Sequence, residues 1–413
     1  MIRAEGTKRA GWRQRMQDLS ARCARCGKCQ SVCPVYDVFH REQAVARGKV
    51  ALMKQGALGR LPAGLSPHRW IYMCLKCLRC QSTCPSGVDF AALQRLARSR
   101  YALRSPVPVV ARVGARLMLG RRWLFDLTLR AFYLAQKAAG LSRLPPQRHV
   151  ILLNSLNKAV PKIARRTTLA KYASRERGDD RTVAFFTGCL MNYVYTDAAD
   201  CAIELIRKAG WKVIVPRGQV CCGAPLASLG DENGFRMLAR RNLEALRRVG
   251  ARYIVSGCAS CASTLRMEYG TVLGDEAAEM GESVLEFSQL LDRSGFKPAK
   301  KLQESVTYHD PCHLGWVLAE KGAPRRLIAQ AAAMAEMDGA DLCCGMGGVF
   351  SSFNPAVSDL IAEKKVGAAR RTGAATLVTT CPGCMMQIEG QFLKHHADIK
   401  VEHLAQLLAR SER

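Results

Sequence analysis

Two short stretches of this sequence place four cysteines at one spacing. Residues 23–34 read CARCGKCQSVCP, and residues 74–85 read CLKCLRCQSTCP. The spacing C-x2-C-x2-C-x3-C-P is typical of [4Fe–4S] ligation, in which three cysteines of a run hold one cluster and the fourth cysteine holds the other cluster. The predicted ligands are Cys23, Cys26, Cys29 and Cys84 for the first cluster, and Cys74, Cys77, Cys80 and Cys33 for the second. Zinc also binds CxxC pairs, but zinc needs no x3-C-P exit.

Ten further cysteines form two copies of a second pattern. The first copy is Cys189, Cys221, Cys222, Cys258 and Cys261, and the second is Cys312, Cys343, Cys344, Cys381 and Cys384. Matching cysteines lie 122 or 123 residues apart, so the sequence indicates a duplicated domain. Five thiols exceed the needs of a zinc ion or a cubane, which predicts an unusual iron–sulfur cluster or a redox-active thiol beside a metal. The alternative is a cubane or zinc with one idle cysteine per repeat.

Four other residues near these motifs carry weaker signals. Cys201 lies outside every pattern, within DAADCAIELIRK, and is expected to pack in the core. His309, Asp310 and His313 flank Cys312 in YHDPCHLG. We expect them to form hydrogen bonds or packing contacts beside the metal rather than to ligate it.

The elements that must position the ten cysteines read as alternating strands and helices. TVAFF (182–186), KVIVP (212–216) and ARYIVS (251–256) predict buried strands, each followed by cysteines. Helical patterns at 193–209 and 232–249 separate them. In the second repeat, SVTYH (305–309) and ATLVTT (375–380) predict the matching strands, before Cys312 and Cys381. The alternation predicts parallel sheets with the cysteines at the carboxyl ends of the strands.

The predicted fold class is therefore α+β and multidomain. We expect a mostly helical, ferredoxin-like domain with two [4Fe–4S] clusters at 1–105 and a basic helical linker at 106–180. Two duplicated α/β cysteine-rich domains are expected at 181–300 and 301–413, the segments that carry the CCG motifs.

Composition points to a reducing compartment and to a charged partner. The chain has 413 residues and 19 cysteines, and its first residues contain no apolar stretch of the kind found in signal peptides. We expect a cytoplasmic protein with thiolates on metal. Residues 1–180 hold 35 Lys+Arg against 9 Asp+Glu, whereas the remainder is nearly balanced. That excess suits an acidic protein partner or an anionic membrane surface. Nucleic acid is not expected, because no nucleic-acid motif accompanies the charge.

The linker offers a second sign of a membrane. Residues 107–135 read VPVVARVGARLMLGRRWLFDLTLRAFYLA, which predicts an apolar helix pair carrying arginines. Such helices either pack on the neighbouring domain or touch a membrane or a membrane partner at the inner face. No apolar run is long enough to span a bilayer.

Taken together, the two motif types resemble the cysteine-rich-domain iron–sulfur proteins. That family includes the iron–sulfur subunits of glycolate oxidase and of lactate and glycerol-3-phosphate dehydrogenases, and the catalytic subunit of heterodisulfide reductase. ARGKVALMK (46–54) and CPSGVDF (84–90) are also similar to the family's pattern. In the heterodisulfide reductases, each complete five-cysteine motif binds a noncubane cluster, at which the disulfide is cleaved. The resemblance therefore implies one or two further clusters here, with Cys222 and Cys344 as candidate catalytic residues.

The resemblance implies an oxidoreductase subunit, and it leaves two hypotheses for the role of that subunit. In the first, a partner FAD-containing subunit oxidises glycolate or lactate and this chain passes the electrons toward a quinone or a membrane cytochrome. The chain would carry no flavin, since no G-x-G-x-x-G follows a strand, and would be inactive on hydroxy acids alone. In the second, this chain is the catalytic subunit of a heterodisulfide-reductase-type complex. A non-enzymatic cluster carrier or redox sensor is the third reading.

Overall fold

The computed structural model describes residues 2–62, 65, 67–104, 107–138, 140 and 161–413. They form two compact units, each discontinuous along the chain. The helical unit comprises Met1–Gly114, Pro225–Glu232 and Gly345–Ile361, and the sheet unit comprises Ala115–Ala224, Asn233–Cys344 and Ala362–Arg413. The segments that follow the two Cys-Cys pairs thus belong to the helical unit and not to the sheets.

The helices are short and numerous. In chain order they are α1 (Ile2–Ala21), α2 (Tyr36–Phe39), α3 (Ala46–Leu58), α4 (His68–Tyr72), α5 (Arg79–Ser82), α6 (Phe90–Arg100), α7 (Val109–Gly120), α8 (Arg122–Ala138), α9 (Thr168–Tyr172), α10 (Leu190–Tyr193), α11 (Thr196–Lys208), α12 (Ala224–Ser228), α13 (Glu232–Arg247), α14 (Ala259–Ser263), α15 (Tyr269–Leu273), α16 (Asp275–Glu282), α17 (Phe287–Arg293), α18 (Gly322–Ala331), α19 (Phe350–Phe353), α20 (Pro355–Arg371), α21 (Pro382–Lys394) and α22 (Leu404–Arg410). One turn of π-helix follows α14 at Thr264–Glu268, and another lies at His313–Val317.

The helical unit packs α1, α3 and α6 around a methionine-rich centre. Met16 of α1 and Met53 of α3 are fully buried. Helix α6 begins where the Asp89 side chain accepts a hydrogen bond from the Ala92 amide, which caps the helix. Two segments from later in the chain join this unit through backbone contacts. Tyr72 donates to the carbonyl oxygens of Arg98 and Leu229, at 2.9 and 3.3 Å.

The sheet unit contains two parallel sheets, one for each repeat. The strands are β1 (Ala173–Ser174), β2 (Thr182–Phe185), β3 (Lys212–Pro216), β4 (Tyr253–Ser256), β5 (Val284–Glu286), β6 (Ser305–Tyr308), β7 (Ala333–Met334), β8 (Thr376–Thr379) and β9 (Lys400–His403). The first sheet has the order β1-β3-β2-β4-β5 and the second β7-β6-β8-β9. Every strand pair is parallel, as the alternation of strands and helices predicts.

One apolar core serves both sheets. Val183 and Val255 from the first sheet lie in the same buried cluster as Val306 and Val378 from the second. Because burial of each such side chain contributes roughly 1.5–3 kcal/mol, this shared core fixes the two repeats against each other.

The helix pair expected within the linker, at 107–135, is present as α7 and α8. Residues 105, 106, 139 and 141–160 of the expected linker lie outside the described residues. Within the described part of the chain, no helix is both long enough and apolar enough to cross a membrane.

Candidate metal centres

The eight cysteines of the two C-x2-C-x2-C-x3-C-P runs line two cavities in the helical unit. The first cavity is lined by Cys23, Cys26, Cys29 and Cys84, together with Cys80. The second is lined by Cys33, Cys74, Cys77 and Cys80. Each cavity thus receives three cysteines from one run and the last cysteine from the other run.

The loops that carry these cysteines share an unusual backbone. Arg25 and Gly27 have φ of 57° and 87°, and Lys76 and Leu78 have φ of 56° and 57°. These residues stand at matching positions, two and four places after the first cysteine of each run. Left-handed backbone at three non-glycine residues of this kind costs free energy, of order 1–3 kcal/mol each, and persists where the surroundings hold it. The repeated conformation turns three cysteines of each run toward one cavity.

Two basic side chains on α3 accompany the cavities. The Arg47 guanidinium is held by Glu42, at 2.7 Å, and lowers the pKa of Cys29 against the larger, opposite effect of burial. Lys49 is buried and donates to the Ala44 carbonyl oxygen. Burial raises the pKa of Cys33, and Lys49 opposes that increase. Positive charge beside each cavity stabilises thiolates and the net negative charge of a cluster.

Gly48 lies between Arg47 and Lys49 at a position where no side chain fits. A Cβ atom at this position would lie 1.9 Å from the Glu42 carbonyl oxygen. Only glycine at position 48 allows helix α3 to lie this close to the preceding turn.

The five thiols of the first cysteine-rich site follow the carboxyl ends of β2, β3 and β4. Cys221, Cys222, Cys258 and Cys261 are buried, and Cys189 is partly exposed. The loop at Cys221 is held by Asn242, which accepts from the Val220 amide at 2.8 Å and donates to the Cys221 carbonyl oxygen at 2.9 Å. The next residue is Gly223, with φ of +90°, where a Cβ atom would lie 2.6 Å from Phe235. The CCG motif therefore requires its glycine.

The second site repeats this arrangement behind β6 and β8. The Cys344 and Cys384 sulfur atoms are 3.3 Å apart, and Cys312 hydrogen-bonds with Cys343. Lys365 is buried and donates to the Gly339 and Ala340 carbonyl oxygens, at 2.6 and 3.0 Å. Burial lowers the pKa of Lys365 to about 8, while the neighbouring thiolates act in the opposite direction.

The two cysteine-rich sites adjoin each other. Cys258 and Cys381, which occupy equivalent positions in the repeats, hydrogen-bond through their thiols. Ser260 lies beside them, with its oxygen 3.4 Å from the Cys381 sulfur and 2.8 Å from the His313 Nδ1. The thiols therefore form a continuous series from one site to the other.

Hydrogen bonding among the thiols lowers the pKa of one cysteine in each repeat. Bonds with Cys221 and Cys261 place the pKa of Cys222 below its usual range. Bonds with Cys258 and Cys384 do the same for Cys381. The same bonds raise the pKa of neighbouring thiols such as Cys221 and Cys384, so the network favours one thiolate in each repeat.

Three of the residues with weaker sequence signals, Cys201, Asp310 and His309, differ in their surroundings. Cys201 packs against the apolar core, and burial raises the pKa of its thiol to about 11. Asp310 forms a two-pronged ion pair with Arg325, at 2.7 and 2.8 Å. His309 is fully buried beside Cys344 and Cys384. Burial lowers the pKa of His309 to about 3, so its imidazole is neutral.

The residues present fit iron–sulfur chemistry. All 19 cysteines are free, and eight of the ten in the cysteine-rich sites are buried. Dense, buried thiolate sets of this kind select iron–sulfur clusters or zinc over harder cations. Sequence reasoning missed Lys49, Lys365 and Ser260, because single lysines and serines carry no signal until packing buries them.

Comparison with known proteins gives the same two modules. A 4Fe–4S dicluster domain matches residues 20–88, and a cysteine-rich domain matches twice, at 183–266 and 306–389.

Relatives with similar sequences are iron–sulfur proteins of oxidoreductase systems. The chain is 29% identical to a probable glycolate oxidase iron–sulfur subunit of Bacillus subtilis, over 94% of this chain and 92% of that protein. It is 31% identical to lactate utilization protein A of Shouchella clausii, over 56% of this chain and 99% of that protein. It is 24% identical to a subunit of the dihydromethanophenazine:CoB–CoM heterodisulfide reductase of Methanosarcina barkeri, over 94% of this chain and 93% of that protein. The chain therefore belongs to the family of cysteine-rich-domain iron–sulfur oxidoreductases.

Proposed function

We propose that this chain is the iron–sulfur electron-transfer subunit of a flavin-dependent 2-hydroxy-acid dehydrogenase complex. A separate FAD-containing subunit would oxidise glycolate or lactate, and this chain would pass the electrons toward a quinone or another acceptor. The observation that carries the proposal is the continuous series of thiols that joins the two cysteine-rich sites. An assembly of that kind suits transfer between centres within one chain.

Each cysteine set has its own part in this proposal. Two sets of four would hold [4Fe–4S] clusters: Cys23, Cys26, Cys29 and Cys84, and Cys74, Cys77, Cys80 and Cys33. The five-cysteine sets would hold further, noncubane clusters. Such groups supply one-electron chemistry when bound. The chain's own contribution is to exclude water from the buried thiols and to supply the positive charge of Arg47, Lys49 and Lys365 beside them.

The test of this proposal is the identity of the partner. The tagged chain is purified from its host without oxygen and in mild detergent, and the co-purifying proteins are identified by mass spectrometry. An FAD-linked hydroxy-acid dehydrogenase in near-equal amount supports the proposal. A b-type cytochrome without any flavoprotein contradicts it and favours the second candidate.

The second candidate is a catalytic subunit of the heterodisulfide-reductase type. A cavity beside the first site favours it, because Cys189 and Cys221 share that cavity with Phe125 and Gln219. A disulfide substrate would take up two electrons and two protons and leave as two thiols. Under this candidate, Cys222→Ser or Cys344→Ser abolishes disulfide reduction, and the two [4Fe–4S] clusters of the helical unit remain. Cys201→Ser is the matched control, since that thiol lies outside both sites.

We also propose that α8 contacts an anionic membrane surface. Trp123, Leu127 and Leu134 lie on one stripe of the helix and are 64%, 59% and 60% exposed. Arg130 is exposed on the same stripe. Apolar side chains beside arginine are typical of helices that lie in the headgroup region, and the charge complements anionic lipid.

Vesicle flotation tests this membrane contact. The purified chain should float with vesicles that contain anionic lipid and stay behind with neutral vesicles. Trp123→Asp combined with Leu127→Asp should abolish flotation. Leu360→Asp, at another exposed apolar residue, should not. Unchanged flotation of the double variant would contradict the assignment of this surface.

A further inference from the structure

The two cysteine-rich sites differ at one equivalent position. Phe186 and His309 both lie three residues before the first cysteine of their repeat. The Phe186 amide donates to the Val255 carbonyl oxygen at 2.7 Å, and the His309 amide donates to the equivalent Val378 oxygen at 2.9 Å. Both side chains are fully buried. An imidazole in the second site therefore stands where the first site has a phenyl ring.

This imidazole lacks the hydrogen bonds that buried histidines usually make. Neither Nδ1 nor Nε2 of His309 makes a hydrogen bond of good geometry with a residue that the structure describes. The Ala340 carbonyl oxygen near the ring already accepts from the Asp310 amide and from Lys365, at 3.0 Å each. His403 is equally buried but satisfied, because its Nε2 meets the Gly257 oxygen at 2.7 Å and its Nδ1 accepts from the Ala405 amide. A buried polar group without a partner destabilises the folded state. His309 thus needs a partner that the described side chains do not supply.

The thiols beside His309 indicate the nature of that partner. A His309 ring nitrogen and the sulfur atoms of Cys344 and Cys384 all lie within 4.8 Å of one another. A metal ion with bonds of about 2.0–2.3 Å to nitrogen and sulfur holds its ligand atoms within about 4 Å of each other. The three atoms are therefore close enough to meet one iron–sulfur group after small adjustments. Imidazole and thiolate are both suitable ligands for iron.

We propose that His309 contacts the iron–sulfur group of the second site through a ring nitrogen, and that the second site therefore has a higher reduction potential than the first. The inference rests on the proposed function, in which both five-cysteine sites hold clusters. A nitrogen that ligates iron in place of a thiolate raises the potential, and so does an N–H that donates to a cluster sulfur. Both contacts therefore predict that electrons entering the two sites collect at the second.

The experiment uses the 413-residue chain, purified without oxygen and labelled with ¹⁵N-histidine. Iron and acid-labile sulfide are counted, and pulsed electron paramagnetic resonance measures the coupling of histidine nitrogen to each reduced centre. A potentiometric titration of the same samples gives the midpoint potentials. The variants are His309→Phe, which copies the residue of the first site, and the control His313→Gln. His313 also lies beside Cys312, but its Nδ1 is already bonded to Ser260.

The wild-type chain should show coupling of one histidine nitrogen to one cluster. That coupling should vanish in His309→Phe and remain in His313→Gln, and the midpoint potential of one centre should become more negative only in His309→Phe. A large coupling indicates ligation of iron, and a small one indicates an N–H bond to sulfur.

Two results would overturn the inference, and they are distinguishable. Iron beyond that of the two [4Fe–4S] clusters, without any histidine coupling in the wild-type chain, removes the role of His309 and leaves the proposed function standing. Iron for the two [4Fe–4S] clusters alone removes both the role of His309 and the proposed function. Because the wild-type spectrum decides, the inference can be tested even if His309→Phe fails to assemble its second site.

Discussion

The first and second cysteine-rich sites have the same five thiols but different surroundings. Asn242 lies beside the first site, and the equivalent position, 123 residues later, holds the buried Lys365. In the first site, the negative charge of Glu268 acts to raise the pKa of Cys222. The matching position in the second site holds the neutral Gln391. These two exchanges make the second site more positive than the first. The carboxylate that the second site adds, Asp310 in place of Thr187, is paired with Arg325. Duplication has kept the five cysteines, while the packing residues have diverged in charge.

The cysteine pattern and the electrostatics of a site are therefore separate properties. Thiols determine which metal group can bind, whereas nearby charges and hydrogen bonds determine its potential. Two centres with unequal potentials give electron flow a direction, which two identical centres do not. Changes to the ligands should therefore have the largest effects, followed by changes to nearby charge and then to the backbone.

Removal of a ligand should have the largest effect. Cys344→Ser should lower electron transfer through the assembled complex by more than about 100-fold, since even residues that only support a ligand typically cost 10–100-fold. Cys222→Ser should act in the same way at the first site, and Cys201→Ser should leave the rate unchanged. The measurement is the rate of acceptor reduction by the proposed complex with glycolate or lactate, together with iron content. Full activity of both site variants would remove the account of the duplicated motif.

Removal of the charge at Lys365 should shift one potential. Lys365→Met should make the second centre harder to reduce, by on the order of 100 mV, because a positive charge nearby stabilises the reduced state. Asn242→Met is the matched control, since it removes hydrogen bonds in the first site but no charge. Potentiometric titration of both variants measures the effect. Equal shifts in the two variants would mean that packing, and not charge, separates the sites.

A change at the CCG glycine should affect stability more than a change at an ordinary turn glycine. Gly223→Ala should lower the free energy of unfolding by about 1–3 kcal/mol, because alanine is strained at a φ of +90° and its Cβ would press on Phe235. Gly250→Ala is the control, with φ of +64° and open space around it, and should cost about 1 kcal/mol. Denaturant unfolding of the full chain measures both. A smaller loss at Gly223 than at Gly250 would show that the loop relaxes around the new methyl group.

Much of the sheet unit could be predicted from the sequence. The strand expected at 182–186 is observed at Thr182–Phe185, and the helix expected at 232–249 is observed at Glu232–Arg247. Central strands and their helices are legible because burial on both faces leaves continuous apolar runs. The outer strands β1, β5 and β7 have two or three residues each, and such short segments carry no distinct pattern. Strand β9 is as long as the central strands, but its sequence KVEH contains no continuous apolar run.

The meeting of the two sites could not be predicted from the sequence. Cysteine spacing assigns residues to a repeat, but it says nothing about how one repeat packs on the other. The contact between Cys258 and Cys381 depends on the shared core of the two sheets, which combines side chains from distant parts of the chain. The lack of hydrogen bonds of good geometry at His309 is likewise a property of packing, since its sequence context YHDPCH gives no sign of it.

A single-turnover reduction of the proposed complex tests most directly whether this chain carries the electrons. The proposed complex is mixed without oxygen with glycolate or lactate, in the absence of acceptor, and the iron–sulfur absorption is followed in time. We predict that the absorption bleaches as fast as the hydroxy acid is oxidised, and that Cys344→Ser loses the part of the change that belongs to the second site. If the hydroxy acid is oxidised while the iron–sulfur absorption stays constant, this chain does not carry the electrons.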